Sequence, residues 1–394
     1  MFTILPIKGT IDQIDGIYCD GISAGLKPNN ALDMGFIYSD TLCEVEAIFT
    51  KNKFQAAPLK HYQLYPNDFK TNFILINAKN ANAMTGKEGI DDINTILSSI
   101  NIKDKLTNPI MSSTGVIGNR LPIDKLIDGV NNFNLSSKNA TNLSQAIMTT
   151  DSYPKTSMYK VVLEDGSEFK IGSVAKGAGM INPNLATMLC FIVTDSTIPK
   201  EDMKELLTTH SNTTFNAISV DGDTSTNDTV MLISNQKASY NKEAFSQALK
   251  LVMHDMAIMM VSDGEGAKKS VAFEVVGAAN DNEAMIAAKA LSNSLLVKTA
   301  LFGEDPNFGR IASTIGASQI QCDEQTLIIS YNDVKVFEKG VVLFNDEIEQ
   351  KAANVLQNNS FKIYCDIGQG DGKFTAYGCD LGYKYVEINA DYRT

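Results

Sequence analysis

Hydrophobic positions along the chain switch repeatedly between a period near two and a period near 3.6, which predicts alternating strands and helices. The unbroken apolar run Phe73–Ile76 reads as a buried strand. It leads through NAKNANAMTG, residues 77–86, into a helix marked by Ile90, Ile93, Leu97 and Ile100. Ile110 and Met111 run into a loop, SSTG, at 112–115. Pro122 then occupies the first turn of a helix carrying Ile123, Leu126, Ile127 and Val130. Residues 160–174 predict a hairpin around Asp165–Gly166. The second half predicts helices over Lys200–His210 and Lys242–Val261 and a strand over Ser270–Val276. Asn280, with Glu283 three residues on, resembles a capping box that opens a helix through Val297. Segments 327–337, 361–380 and 383–389 read as strand-rich. The fold class is α/β or α+β, with helices covering large antiparallel or mixed sheets.

The chain has 394 residues, 44% of them hydrophobic and 20% charged, enough for a sizeable core. That length suits two or three domains or one intertwined body. Against 34 Lys+Arg stand 46 Asp+Glu, a net charge of −12 with no basic run, which argues against a nucleic-acid partner. No apolar run approaches the roughly 18 residues of a membrane span. The start, MFTILPIKGTIDQIDG, has neither a basic leader nor a long apolar run, so the expected location is the cytoplasm. Cys19, Cys43, Cys190, Cys322, Cys365 and Cys379 show no metal spacing and are expected to be mostly reduced and buried. The histidines are His61, His210 and His254. His210 continues a helical stripe and His254 sits within LVMHDMAIMM, so both read as structural. With so few, neither a zinc site nor a histidine base is expected.

Two glycine or acidic clusters fail as ligand sites. GQGDGKF at 368–374 lacks the GxxxxGK[ST] spacing and lies between strand patterns, so it reads as a hairpin turn. DGDTSTND at 221–228 has Thr226 where a calcium loop needs Gly and leads to Leu232 where one needs Glu. What remains is KGAGMINPNLATMLCFIVTD, residues 176–195. Here a Gly/Asn/Pro loop delivers Thr187 to the head of an apolar strand, Met188–Val193, with the small Ala186 before it. Many strands begin with Thr after a loop, and that ordinary junction fits. An autoprocessed N-terminal nucleophile fits as well: the Thr187 hydroxyl attacks the Ala186 carbonyl, and the ester is then hydrolysed. The freed α-amine, with an ordinary pKa of roughly 7.7–8.0, then serves as general base.

KGAGMINPNLATML closely resembles the processing site of the ornithine acetyltransferase / glutamate N-acetyltransferase family of arginine biosynthesis. GIYCDGISAGLK (16–27), FTKNKFQAAP (49–58), SSTGVIG (112–118) and AIMTTDSYPK (146–155) match family blocks in order. So do SVDGDTSTNDTV (219–230), SDGEGAKK (262–269), FGEDPNFGRI (302–311) and the terminal YVEINADYRT. The resemblance implies cleavage between Ala186 and Thr187, giving intertwined α (1–186) and β (187–394) chains, with Thr187 as nucleophile. It implies an oxyanion hole of Thr114 and Gly115, and substrate contacts from Thr150, Lys176, Thr187, Glu265, Asn389 and Thr394. It further implies a layered α/β/β/α-type fold, similar in logic to N-terminal-nucleophile hydrolases but with its own topology, and a heterotetramer of two α and two β chains.

The implied reaction is a ping-pong transfer of acetyl from N2-acetyl-L-ornithine to L-glutamate through an acetyl-threonine, with no metal or bound redox cofactor. Acetyl-CoA is a further possible co-substrate, and an amidase or aminopeptidase with water as acceptor is the alternative. Two departures stand out. Ala78 and Lys79 replace the Ser and Gly of the family's NSGNAN block, which puts a positive-φ position in doubt, and Phe308 stands where Trp is common.

Overall fold

A computed structural model describes residues 1–182 and 188–391. Among them, strands gather into a nine-stranded and a seven-stranded sheet, in keeping with the α/β class. The larger sheet runs, edge to edge, Phe2–Pro6, Lys155–Leu163, Glu168–Lys176, Leu189–Ser196, Thr229–Ala238, Met34–Phe49, Lys70–Asn77 and Ile110–Ser113, with Ile17–Ile22 added along Met34–Phe49. Its centre is made by Leu189–Ser196 and Thr229–Ala238, paired in parallel. These two strands are flanked on both sides by strands from residues 2–176, so the segments before and after position 186 interleave. Leu189–Ser196 is buried along its whole length, which is why it opens on the unbroken apolar run Leu189–Val193 rather than an alternating one.

The smaller sheet contains Ser270–Ala278 between Ser360–Asp366 on one side and Gly372–Cys379 on the other. Ser270–Ala278 does alternate, because one face packs under the Asp281–Asn293 helix while the other is half-buried. The Lys242–Ser262 helix touches strands of both sheets. Phe245, Leu249, Val252, Met256 and Met260 form its buried stripe at spacings of three and four.

Several expectations hold: the strand Lys70–Asn77, the helix Gly86–Ser99, and the hairpin Lys155–Leu163 with Glu168–Lys176 turning at Gly166 (φ +82°). Four are corrected. The helix expected from Asn280 through Val297 ends at Asn293. Ser294 caps a second helix, Leu295–Phe302, by accepting the Val297 N–H, and the two axes meet at 54°. Residues 383–389 belong to a helix, Tyr383–Asp391, and not to a strand; Tyr385 and Asn389, four apart, share its docked face. The glycines at 368–372 do not turn a hairpin, because the strands on either side pair with Ser270–Ala278 and not with each other. They cross its end at close backbone range: a Cβ at Gly372 would stand 2.2 Å from the Asn280 carbonyl carbon. Finally, SSTG is half strand, since Ile110–Ser113 is paired with Lys70–Asn77 and the loop starts only at Thr114.

Candidate functional site

Six expected site residues from distant parts of the chain, Thr114, Gly115, Thr150, Lys176, Glu265 and Asn389, line one cavity of ≈190 Å³. Ala186, Thr187 and Thr394 lie outside the described residues. Met188, the neighbour of Thr187, lines the same cavity and passes its carbonyl to the Thr229 N–H at 2.8 Å.

Thr114 and Gly115 are held by the loop that follows Lys70–Asn77. Thr114 N–H donates to the Asn77 carbonyl (3.0 Å), and Val116 N–H to the Lys79 carbonyl (3.1 Å). Side chains brace that loop from within: Ser113 Oγ donates to Asn77 Oδ1 (2.6 Å), and Asn77 Nδ2 donates to the Asn80 carbonyl (2.9 Å). Gly115 lies at φ +131°, and a Cβ there would sit 2.2 Å from the Lys79 carbonyl carbon. Only glycine satisfies both the dihedral and the approach. The positive φ put in doubt by the NAKNANA sequence is present all the same: Lys79 itself takes φ +71°. A left-handed non-glycine residue costs roughly 1–2 kcal/mol, borne here by the asparagine bracing.

Lys176 ends the Glu168–Lys176 strand and is buried. Its Nζ donates to Thr114 Oγ1 at 3.3 Å. Because an ammonium cannot accept, the threonine oxygen is the acceptor and its own proton is left to point elsewhere. Burial lowers the Lys176 pKa, with Asp151 acting against that shift. For Asp151 burial pushes the carboxyl up, but Lys176 and Lys155 outweigh it and hold the group at about 2. Glu265 follows the C-terminus of the Lys242–Ser262 helix, and its N–H bonds the Ala178 carbonyl at 3.0 Å. Gly179 packs against its carboxyl so closely that a Cβ would fall 2.4 Å away. Asn389 donates to Glu265 Oε2 at 2.6 Å.

Reasoning from sequence passed over part of this wall. Asp221, Asn227 and Tyr385 also line the cavity. Asp221 accepts from the backbone N–H groups of Met180 (2.6 Å) and Ile181 (2.8 Å) and from the Tyr385 hydroxyl (3.3 Å), and burial raises its pKa. Asn227 Nδ2 ties the Ala81 and Ser113 carbonyls together at 2.6 and 2.8 Å. Both acids and amides come from the 221–228 segment, whose signal was its place within a matched family block rather than any metal spacing.

The three histidines are placed elsewhere: His61 on Asn94, His210 on Ser246, and His254 edge-on to Tyr377. Five of the cysteines are buried and Cys322 is exposed, all as free thiols. Among the described residues, no group of three or more His, Cys, Asp or Glu is arranged to hold a metal ion. No single helix among them is long and apolar enough to cross a membrane. Chemically, a hydroxyl and a glycine N–H side by side can donate to one developing oxyanion. A lysine and a glutamate on the cavity walls can receive the two charges of a zwitterionic amino acid.

A sequence model of the ArgJ family matches residues 18–394. The chain is similar to the arginine biosynthesis bifunctional protein ArgJ of Wolinella succinogenes, 57% identical over the full length of both. Its counterpart in Oceanobacillus iheyensis is 37% identical over 98% of this chain and 97% of that one. Among solved structures, ArgJ from Bacillus halodurans aligns with 38% identity and a TM-score of 0.49, covering 52% of this chain and all of that one. An ornithine acetyltransferase from Mycobacterium tuberculosis, solved with ornithine, aligns with 29% identity and a TM-score of 0.40 over 47% of this chain and all of that one.

Proposed function

The chain belongs to the ArgJ family and is an enzyme of arginine biosynthesis; from that premise we propose that it transfers acetyl from N2-acetyl-L-ornithine to L-glutamate. Activation comes first. The Thr187 hydroxyl attacks the Ala186 carbonyl, the peptide bond becomes an ester, and water hydrolyses it. The products are an α chain of residues 1–186 and a β chain whose first residue is Thr187, with a free α-amine. Interleaved strands keep the two pieces together after the cut.

In the transfer reaction the α-amine takes the Thr187 hydroxyl proton as the oxygen attacks the acetyl carbonyl. Thr114 Oγ and Gly115 N–H donate to the oxyanion, with Lys176 polarising the Thr114 hydroxyl through its hydrogen bond to that oxygen. Ornithine leaves with the proton, and acetyl-Thr187 remains. The α-amine of glutamate then attacks the ester carbonyl, the bond to the Thr187 oxygen breaks, that oxygen recovers the proton the amine gives up, and N-acetylglutamate is released. Thr150, Lys176, Glu265, Asn389 and Thr394 bind the amino acid, the carboxylate meeting Lys176 and the distal amine meeting Glu265. The threonine chemistry calls for no metal or redox cofactor, and acetyl-CoA would enter only as a second acetyl donor. The reading includes a cytoplasmic heterotetramer of two α and two β chains.

The observation that carries this reading is the convergence of Thr114, Gly115, Lys176 and Glu265 on one cavity that Met188 also lines. The test is an assay of purified protein with acetylornithine plus glutamate, run beside acetyl-CoA plus glutamate, with free acetate measured in both. N-acetylglutamate from the first mixture is expected; acetate alone would identify a hydrolase and refute the transfer. Thr187→Ala should leave a single uncut chain of 42.9 kDa with no transfer activity. Surviving transfer would refute the nucleophile.

A further inference from the structure

Behind the cavity, and lining none of it, three charged side chains meet. Lys155 Nζ donates to Asp151 Oδ1 at 2.7 Å and to Asp263 Oδ2 at 2.6 Å, and the side chains are 0%, 0% and 3% exposed. The two carboxylates belong to different walls. Asp151 directly follows Thr150 and accepts the N–H of Thr149 (3.0 Å) and of Gly177 (2.6 Å), so it fixes the Thr150 turn and the residue after Lys176. Asp263 stands two residues before Glu265 and accepts the N–H of Ser152 at 3.0 Å. Lys155 is therefore a strap from the wall that carries Thr150 and Lys176 to the wall that carries Glu265. The buried ammonium holds both carboxylates within hydrogen-bond distance of one nitrogen. Without it the two anions would repel in a medium that screens poorly, and only the Ser152–Asp263 and Glu265–Ala178 bonds would still tie the walls, at a wider setting.

We propose that Lys155, through Asp151 and Asp263, sets the distance between Lys176 and Glu265 and thereby the side-chain length of the amino acid the cavity accepts. The inference rests on the reading that an amino acid's carboxylate and distal amine meet Lys176 and Glu265. Lys155 is a positioning residue: it does not line the cavity, and it acts through the two walls it joins. A substrate charged at both ends is measured by such a frame, because each added methylene must displace one charge from its partner. One methylene commonly changes kcat/KM by about 10–200-fold.

The experiment measures transfer to glutamate from N2-acetylornithine, from the one-carbon-longer N2-acetyllysine and from the one-carbon-shorter N2-acetyl-2,4-diaminobutyrate. Wild-type protein is compared with Asp263→Asn and with the charge-balanced Lys155→Met/Asp263→Asn. The wild type should prefer acetylornithine by about tenfold or more over both homologues. In the variants that preference should shrink to about threefold or less, through a higher KM for acetylornithine with kcat held within a few-fold. A purely structural role for Lys155 would lower the melting temperature and leave the ratio alone. A folded Asp263→Asn protein with the wild-type ratio therefore overturns the inference, as does a wild type indifferent to chain length. Should the double variant not fold, Asp263→Asn decides alone. Wild-type protein that makes no N-acetylglutamate from acetylornithine would sink the proposed function, and this inference with it.

Discussion

The seven-stranded sheet and the cavity end of the nine-stranded sheet are both buried, but they are built from opposite materials. In the former, Val271, Phe273, Val275 and Ile363 pack with Ala284, Ala287, Ala288 and Leu291 of the covering helix. The burial is apolar, non-directional and roughly proportional to area. At the cavity Lys176 and Glu265 are buried, and so are Asp151, Lys155 and Asp263 just behind it. Each of those charges is expensive out of water and persists because a specific partner lies within hydrogen-bond range. The difference separates two vulnerabilities. The first region is sensitive to volume, and the second to the loss of one half of a charge or hydrogen-bond pair.

That contrast can be broken from either side. Phe273→Ala removes a fully buried ring from the apolar sheet and should cost about 3–5 kcal/mol in urea unfolding, with kcat/KM of the protein still folded unchanged. A loss of transfer rate without a loss of stability would mean that the sheet reaches into the chemistry. Thr114→Ala should do the reverse: a rate of acetyl transfer lower by about 10²–10³, at a nearly unchanged melting temperature. The charge cluster behind the cavity should also respond to acid. Asp151 is held at about 2, below the ordinary carboxylate value, so its contribution to stability is present above about pH 4 and is lost as the pH falls toward 2. Unfolding midpoints measured across that window should drop less steeply in Asp151→Asn than in the wild type. The smallest effect belongs to the helix Asp346–Leu356, whose cap Asn345 accepts the Glu347 and Ile348 N–H groups. Asn345→Ala should cost about 1 kcal/mol and no activity.

How far the chain could be read before its structure was known depends on the range of the forces involved. The Lys200–Ser211 and Lys242–Ser262 helices are legible because their apolar stripes repeat within one or two turns. Ser294 shows the limit of that: Ser292 and Asn293, residue types equally able to cap, lie within the first helix, and only the packing of two short helices makes Ser294 the cap at their bend. Tyr383–Asp391 misleads in the other direction. Its tyrosines alternate as in a strand, yet no sheet edge meets them; Asp221 and Glu265 bind the helix through Tyr385 and Asn389. The glycines at 368–372 announced a tight backbone, but not that they would cross over the end of Ser270–Ala278. In the candidate site, Thr114, Gly115, Lys176 and Glu265 were legible only through resemblance to known blocks, since no local pattern marks a lone Lys or Glu. Asp221 and Asn227 sat in one of those blocks, and their cavity positions had no local signal.

By itself the sequence determined the class of fold, the family and the chemical vocabulary: few histidines, no metal spacing, a threonine after a small residue, and hydroxyl and glycine side by side at 114–115. Those properties are local, carried by composition, short spacings and contiguous blocks. Tertiary structure decided which of the many charged residues lose their water and whom they then face. Lys155 and Lys176 are the same residue type on paired strands. One lies behind the cavity between two carboxylates and the other opens onto it beside Thr114. Burial and partner are properties of the assembled chain, and for ionisable groups they outweigh residue identity because desolvation and pairing energies exceed intrinsic preferences.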